Sequence, residues 1–129
     1  MHIEHIAIWT NQIEQLKDFY KTYFLAKVGD EYCNPTKQFE SYFLSFSSGA
    51  RLELMSQPGI QDNLPDPRAQ FIGYTHLSFA TGSELGVDDL TNRLQRDGFQ
   101  VMNGPRHTGD GYYESVVLDP DGNHIEISV

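Results

Sequence analysis

The sequence predicts an α+β protein made of two β-α-β-β-β modules, forming a curled mixed sheet with its helices on the outer face. Three observations predict it. A short apolar strand pattern led by a histidine opens the chain as His5-Ile6-Ala7-Ile8 and returns at mid-chain as His76-Leu77-Ser78-Phe79. Each is followed by a stretch of helical period and then by strand-like runs. Each module closes on a glutamate between apolar neighbours, four residues after a glycine: Gly49 before Glu53, and Gly122 before Glu126. The His-to-Glu separations are 48 residues (5 to 53) and 50 residues (76 to 126), and the markers recur after 71 (5 to 76) and 73 (53 to 126) residues. A period this long marks a duplicated half-domain rather than a solenoid repeat.

In chain order, residues 3–9 read as a strand. Ile6 and Ile8 share one face, and Ile3, His5, Ala7 and Trp9 the other. Asn11 followed by Glu14 has the form of a capping box, opening a helix whose stripe is Ile13, Leu16, Tyr20, Tyr23 and Phe24. Residues 26–32 form a second strand ended by the turn-prone Cys33-Asn34-Pro35. Phe39 to Ser47 and Arg51 to Ser56 make a hairpin through the turn at 47–50.

Residues 57–72, with Pro58, Pro65 and Pro67, read as a connector of above-usual length. The chain is thus expected to be one domain, with module one at about 1–56 and module two at about 73–129. In module two, Tyr74 to Ala80 is a strand. Ser83 caps a helix with the stripe Val87, Leu90 and Leu94, ended by Gly98. Phe99 to Met102 begins the next strand. Tyr113 to Leu118 and His124 to Val129 form a hairpin around Asp119-Pro120-Asp121-Gly122.

The totals exclude several classes. At 129 residues, with 39% hydrophobic and 21% charged, the chain can bury a core. Nine basic against eighteen acidic residues give a net charge of −9, which argues against nucleic-acid or anionic-membrane partners. Cys33 is the single cysteine, so no intrachain disulfide or thiolate zinc cluster forms. Met1-His2-Ile3-Glu4-His5 does not read as a signal peptide and no apolar run has transmembrane length. A soluble cytoplasmic protein is expected.

Taken singly, each His or Glu is an ordinary strand position; their recurrence as a pair carries the functional reading. Leu52 and Leu54 face one way and Glu53 the other, as do Ile125 and Ile127 against Glu126. With the more apolar faces given to the helices, the markers lie on the opposite face, in a cup if the sheet curls. If the first and last strands of a module are neighbours, one His and one Glu per module come within reach of a common point. Two imidazoles and two carboxylates suit a divalent ion such as Ni, Co, Zn, Mn or Fe(II). His5, Glu53, His76 and Glu126 are the expected ligands. His2, His107 and His124 have no counterpart and stand outside the set.

The duplication, the opening His5-Ile6-Ala7-Ile8, Asp18-Phe19-Tyr20 and the closing Asp119-Pro120-Asp121-Gly122-Asn123-His124-Ile125-Glu126 resemble the vicinal oxygen chelate superfamily. That group includes glyoxalase I, extradiol dioxygenases, fosfomycin-resistance thiol transferases and bleomycin-binding proteins. Among these, a four-ligand set resembles glyoxalase I, whereas the dioxygenases and transferases use two His and one Glu, and the drug binders usually lack the set. Glu53 is therefore the discriminating residue.

The resemblance implies a homodimer with one divalent ion per site, Ni, Co or Zn ahead of Mn or Fe(II). It implies proton transfer beside a carbonyl, with an enediolate stabilised at the metal. Glu126 is the favoured base and Glu53 the other candidate. The alternatives are a dioxygenase, a thiol transferase or a non-catalytic resistance module. Where glyoxalase I carries an arginine for the glutathione carboxylate this chain has Trp9, and Arg106 stands where another basic contact is frequent. Trp9, Arg106 and Tyr113 are the expected substrate contacts, with Tyr42, Phe46 and Tyr112 as further cup walls.

Overall fold

A computed structural model describes residues 1–62, 66–70 and 72–129. Pro65 of the connector lies outside the described residues. The chain divides into two compact units, Met1–Asn63 and Leu64–Val129, each an open mixed sheet with one helix on one face.

Unit one runs β1 (His5–Trp9), α1 (Ile13–Tyr23), β2 (Lys27–Val28), β3 (Tyr32–Asn34), β4 (Phe39–Ser45) and β5 (Arg51–Ser56). The sheet order is β1-β5-β4-β2, with β3 also paired to β4. The single strand expected over 26–32 is therefore two short ones, both antiparallel to β4. Ile13, Leu16, Phe19 and Tyr20 bury the inner stripe of α1, against β5, β4 and β2. Phe19 rather than Tyr23 completes that stripe. The capping box does not form, because both of its side chains are engaged elsewhere. Asn11 donates to the Ile60 carbonyl and Asp62, and Glu14 accepts from Lys17 and from the Tyr42 hydroxyl. Gln12 holds the cap position, its side chain making no capping bond to the helix.

Unit two runs β6 (His76–Ala80), α2 (Glu84–Arg96), β7 (Val101–His107), β8 (Tyr113–Leu118) and β9 (His124–Ser128), in the order β6-β9-β8-β7. Ser83 caps α2 as expected, its Oγ accepting from the Gly86 amide at 3.1 Å. At the other end, Gly98 has φ +94°. The amides of Gly98 and Phe99 close on the carbonyls of Gln95 and Leu94, the paired bonds of a Schellman ending. The buried stripe is Val87, Thr91 and Leu94, with Leu90 only half-buried. Thr91 takes the inner position because its hydroxyl finds partners there.

The division of faces follows the expected parity. Leu52, Leu54 and Leu44 are buried in unit one, and Val117, Ile125 and Ile127 in unit two. Each such side chain contributes about 1.5–3 kcal/mol by leaving water. The last strand ends at Ser128, which is buried, while Val129 is exposed. The faces opposite the helices carry the marker residues.

Candidate functional site

The two units build their marker pairs by the same strand register. β1 lies parallel to β5 with His5 opposite Arg51 and Ala7 opposite Glu53. β6 lies parallel to β9 with His76 opposite His124 and Ser78 opposite Glu126. In both, the histidine is diagonal to the glutamate on one face, two residues along. His5 Nε2 is 3.7 Å from Glu53 Oε2, and His76 Nε2 is 3.4 Å from Glu126 Oε2. The side-chain exposures repeat as well, 40% and 16% in unit one against 41% and 18% in unit two. In each pair the carboxylate is the less exposed member and the imidazole the more exposed one.

These separations suit a shared ion. Two donors each about 2.1 Å from one metal stand roughly 3–3.4 Å apart at the angles of octahedral or tetrahedral coordination, a spacing the His76–Glu126 pair matches and the His5–Glu53 pair exceeds slightly. In each pair the imidazole nitrogen facing the carboxylate is Nε2, because Nδ1 is engaged on its other side. His5 Nδ1 meets the Glu4 carboxylate, and His76 Nδ1 meets the Thr75 hydroxyl at 3.1 Å. An acceptor on Nδ1–H leaves the Nε2 lone pair available, as outer partners of metal-binding histidines do. His5, and then Arg51, hold the Glu4 carboxyl below its ordinary range. Within either unit, the described residues gather no group of three or more His, Cys, Asp or Glu suited to a metal.

Comparison with known proteins places this architecture. The model of the Glyoxalase/Bleomycin resistance protein/Dioxygenase superfamily matches residues 2–127. The chain belongs to this superfamily. The uncharacterized protein YqjT of Bacillus subtilis (strain 168) is 37% identical over 59 residues, 43% of this chain. The match spans about half of that relative's length, 46%. A structure described as a possible glyoxalase from Bacillus cereus is 25% identical, with TM-score 0.72, 100% of this chain covered and 99% of that one. The Leishmania major glyoxalase I has TM-score 0.78 at 20% identity, covering 99% of this chain and 86% of its own. A glyoxylase/bleomycin resistance protein/dioxygenase domain from Frankia sp. EAN1pec has TM-score 0.81 at 18% identity, covering 100% and 97%. No described helix is long and apolar enough to cross a membrane.

The other residues expected at the site divide between the two faces. Trp9 shares the His5 face, is 42% exposed, and meets Phe39 edge-on at 6.2 Å. Arg106 sits opposite Glu114 in β7 and β8. Its guanidinium lies 3.5 Å from the Glu114 carboxylate and donates to Asn103 at 3.2 Å. Burial lifts the Glu114 carboxyl above its usual value, and the nearby Glu126 adds to the lift while Arg106 opposes it. Gly104 makes this possible: with φ +80° and a would-be Cβ only 2.5 Å from the Glu114 carbonyl, the backbones touch where Arg106 approaches.

Tyr113 corrects an expectation. Its hydroxyl donates to Asp88 of α2 at 2.8 Å, so it lies on the helix face and not beside Glu126. Tyr42 does the same in unit one, opposite Leu54 and bonded to Glu14 of α1. Tyr42 and Phe43 take opposite faces of β4, and the open face belongs to Phe43. Phe43 pairs with Glu53 and stands edge-on to His5 at 5.4 Å. Phe46 lies beyond the end of β4, and Tyr112 is exposed just before β8.

Sequence reasoning also missed Glu4, Ser78, Glu114 and Val116. Counting back from Glu53 and Glu126 across each hairpin would have found Phe43 and Val116, which pair directly with them. Ser78 follows from its parity with His76, whereas Glu4 carries no periodic signal. His124, excluded at the outset, is engaged through Nε2 with the Pro67 carbonyl at 2.7 Å.

Proposed function

We propose that the chain is a divalent-metal-dependent lyase or isomerase of glyoxalase type, with His5, Glu53, His76 and Glu126 as its protein ligands. The observation that supports this reading is the repetition of one His–Glu geometry in both units, down to register, separation and exposure. Ni, Co or Zn suits the set first, Mn or Fe(II) after it. The set is completed either within one chain or in a homodimer, with His5 and Glu53 from one copy and His76 and Glu126 from the other. The protein is taken to be soluble and cytoplasmic.

The bound ion supplies Lewis-acid stabilisation to adjacent substrate oxygens. The residues do the rest. Glu53 and Glu126 are the groups able to take and return a proton between neighbouring carbons. Glu4 holds the His5 imidazole in the tautomer that presents Nε2, and the Thr75 hydroxyl does the same for His76 when it accepts from Nδ1. Phe43 and Trp9 give the open face of unit one an apolar wall. Arg106 is already balanced by Glu114, so a strongly anionic substrate arm finds little uncompensated charge there. A small carbonyl adduct with an apolar arm fits better than glutathione.

Elemental analysis of the purified protein, paired with hemithioacetal turnover after reloading with Ni, Co, Zn or Fe(II), tests the proposal. One ion per four-ligand site is expected, with loss of that ion in His5→Ala and His76→Ala. Folded protein that takes up no metal refutes it.

A further inference from the structure

The two His–Glu pairs match in geometry but differ in what holds the glutamate. The Ser78 hydroxyl donates to Glu126 Oε1 at 2.6 Å and also meets Ser128 Oγ at 3.3 Å. With Oε1 taken, Oε2 is the oxygen turned to His76. Strand register equates Ser78 with Ala7, since each stands opposite its unit's glutamate. Ala7 has no donor to offer, and Glu53 has no side-chain partner among the described residues besides His5.

We infer that Ser78 is a positioning residue that fixes Glu126, and that Glu53 is the carboxylate free to swing and carry the proton. This deepens the metal-site reading and rests on it. It also reverses the order of the two glutamates that the sequence favoured. A carboxylate held at one oxygen by a short hydroxyl bond loses rotamer freedom before any ligand arrives, so it presents the other oxygen at lower entropic cost. An untethered carboxylate meets that cost on each engagement and leaves more readily.

The test is cobalt binding to the full-length, metal-stripped protein, read by the Co(II) absorption spectrum in competition with a chromophoric chelator. Ser78→Ala is expected to weaken cobalt affinity about tenfold, as loss of an outer hydrogen bond to a ligand does. Ser78→Thr, which keeps the hydroxyl, restores it. Ala7→Ser, placing a hydroxyl opposite Glu53, tightens binding several-fold, by roughly the same physics. Glu126→Gln costs more affinity than Glu53→Gln, while Glu53→Gln removes more turnover per bound ion. The inference is overturned if Ser78→Ala and Ala7→Ser both stay within about twofold of the parent, or if Ser78→Ala lowers only the melting temperature. A parent protein that binds no cobalt overturns the metal-site reading itself, a separate and recognisable outcome.

Discussion

Replacing Thr91 with valine tests how α2 is seated on the sheet that carries Glu126. Thr91 on α2 is 2% exposed and Ser115 on β8 is 1% exposed. The Thr91 hydroxyl donates to the Val87 carbonyl at 2.6 Å, which uses its one hydrogen. The 2.6 Å contact with Ser115 Oγ therefore has Ser115 donating to Thr91. Valine keeps the shape, so no cavity opens, but Ser115 is left as a buried donor without an acceptor. That costs about 1–3 kcal/mol. Ser115→Ala removes the donor itself, leaves Thr91 bonded to Val87, and costs about 0.5–1.5 kcal/mol. The double variant removes both groups, so its loss falls short of the sum of the singles, with a coupling of roughly 1 kcal/mol. Urea unfolding of the four proteins measures the cycle, and melting temperatures should drop by about 3–5 °C per kcal/mol at this chain length. Additive losses, or a Thr91→Val variant no weaker than Ser115→Ala, would refute the donor assignment.

Three further outcomes are expected. The bond from Tyr42 to Glu14 raises the phenol from 10.0 to about 12. Because the folded value is the raised one, its stabilisation is complete below pH 10 and disappears as pH climbs to 12. Glu14 is exposed, so the gain is about 1 kcal/mol after solvent screening; ultraviolet titration of Tyr42→Phe against the parent identifies the late-titrating tyrosine. Gly104→Ala puts a methyl against the Glu114 carbonyl at a positive φ and should cost about 2–3 kcal/mol, measured by denaturant unfolding. Glu53→Gln should abolish isomerase turnover if four ligands serve a glyoxalase-type reaction, as metal content and hemithioacetal turnover together show. Oxygen-dependent turnover that survives this change would instead favour a two-His, one-Glu dioxygenase.

What the sequence made legible was whatever short-range periodicity encodes. Leu52-Glu53-Leu54 and Ile125-Glu126-Ile127 announce which way each glutamate faces, because a strand alternates and only one face is apolar. Ser83 and Gly98 mark the ends of α2 by capping chemistry that needs no tertiary partner. The aromatic residues were harder. Tyr42 and Tyr113 have the parity of the helix faces, yet an aromatic with a polar tip suits a pocket equally well. Only the carboxylates of Glu14 and Asp88, brought over by the helices, decide between them. Asn11 failed as a cap for a similar reason, since residues 60 and 62 compete for its amide. β7 was illegible past Met102 because its register shifts twice before Arg106, and periodicity does not survive a bulge.

Where the two units diverge is as informative as where they agree. The marker positions repeat, but register sets Glu4 against Thr75, Ala7 against Ser78 and Arg51 against His124. All three differences lie beside a marker histidine or glutamate. In unit one the imidazole has an anionic acceptor, itself held by Arg51, while the glutamate has no hydroxyl tether among the described residues. In unit two the imidazole has a neutral hydroxyl, while the glutamate is tied by Ser78. A carboxylate on Nδ1–H makes the far nitrogen a stronger donor than a hydroxyl does. Each half thus pairs one firmly held side chain with one looser one, and the looser partner is a carboxylate only in unit one. The two His–Glu pairs, alike in register and separation, are therefore unlike in how each side chain is held.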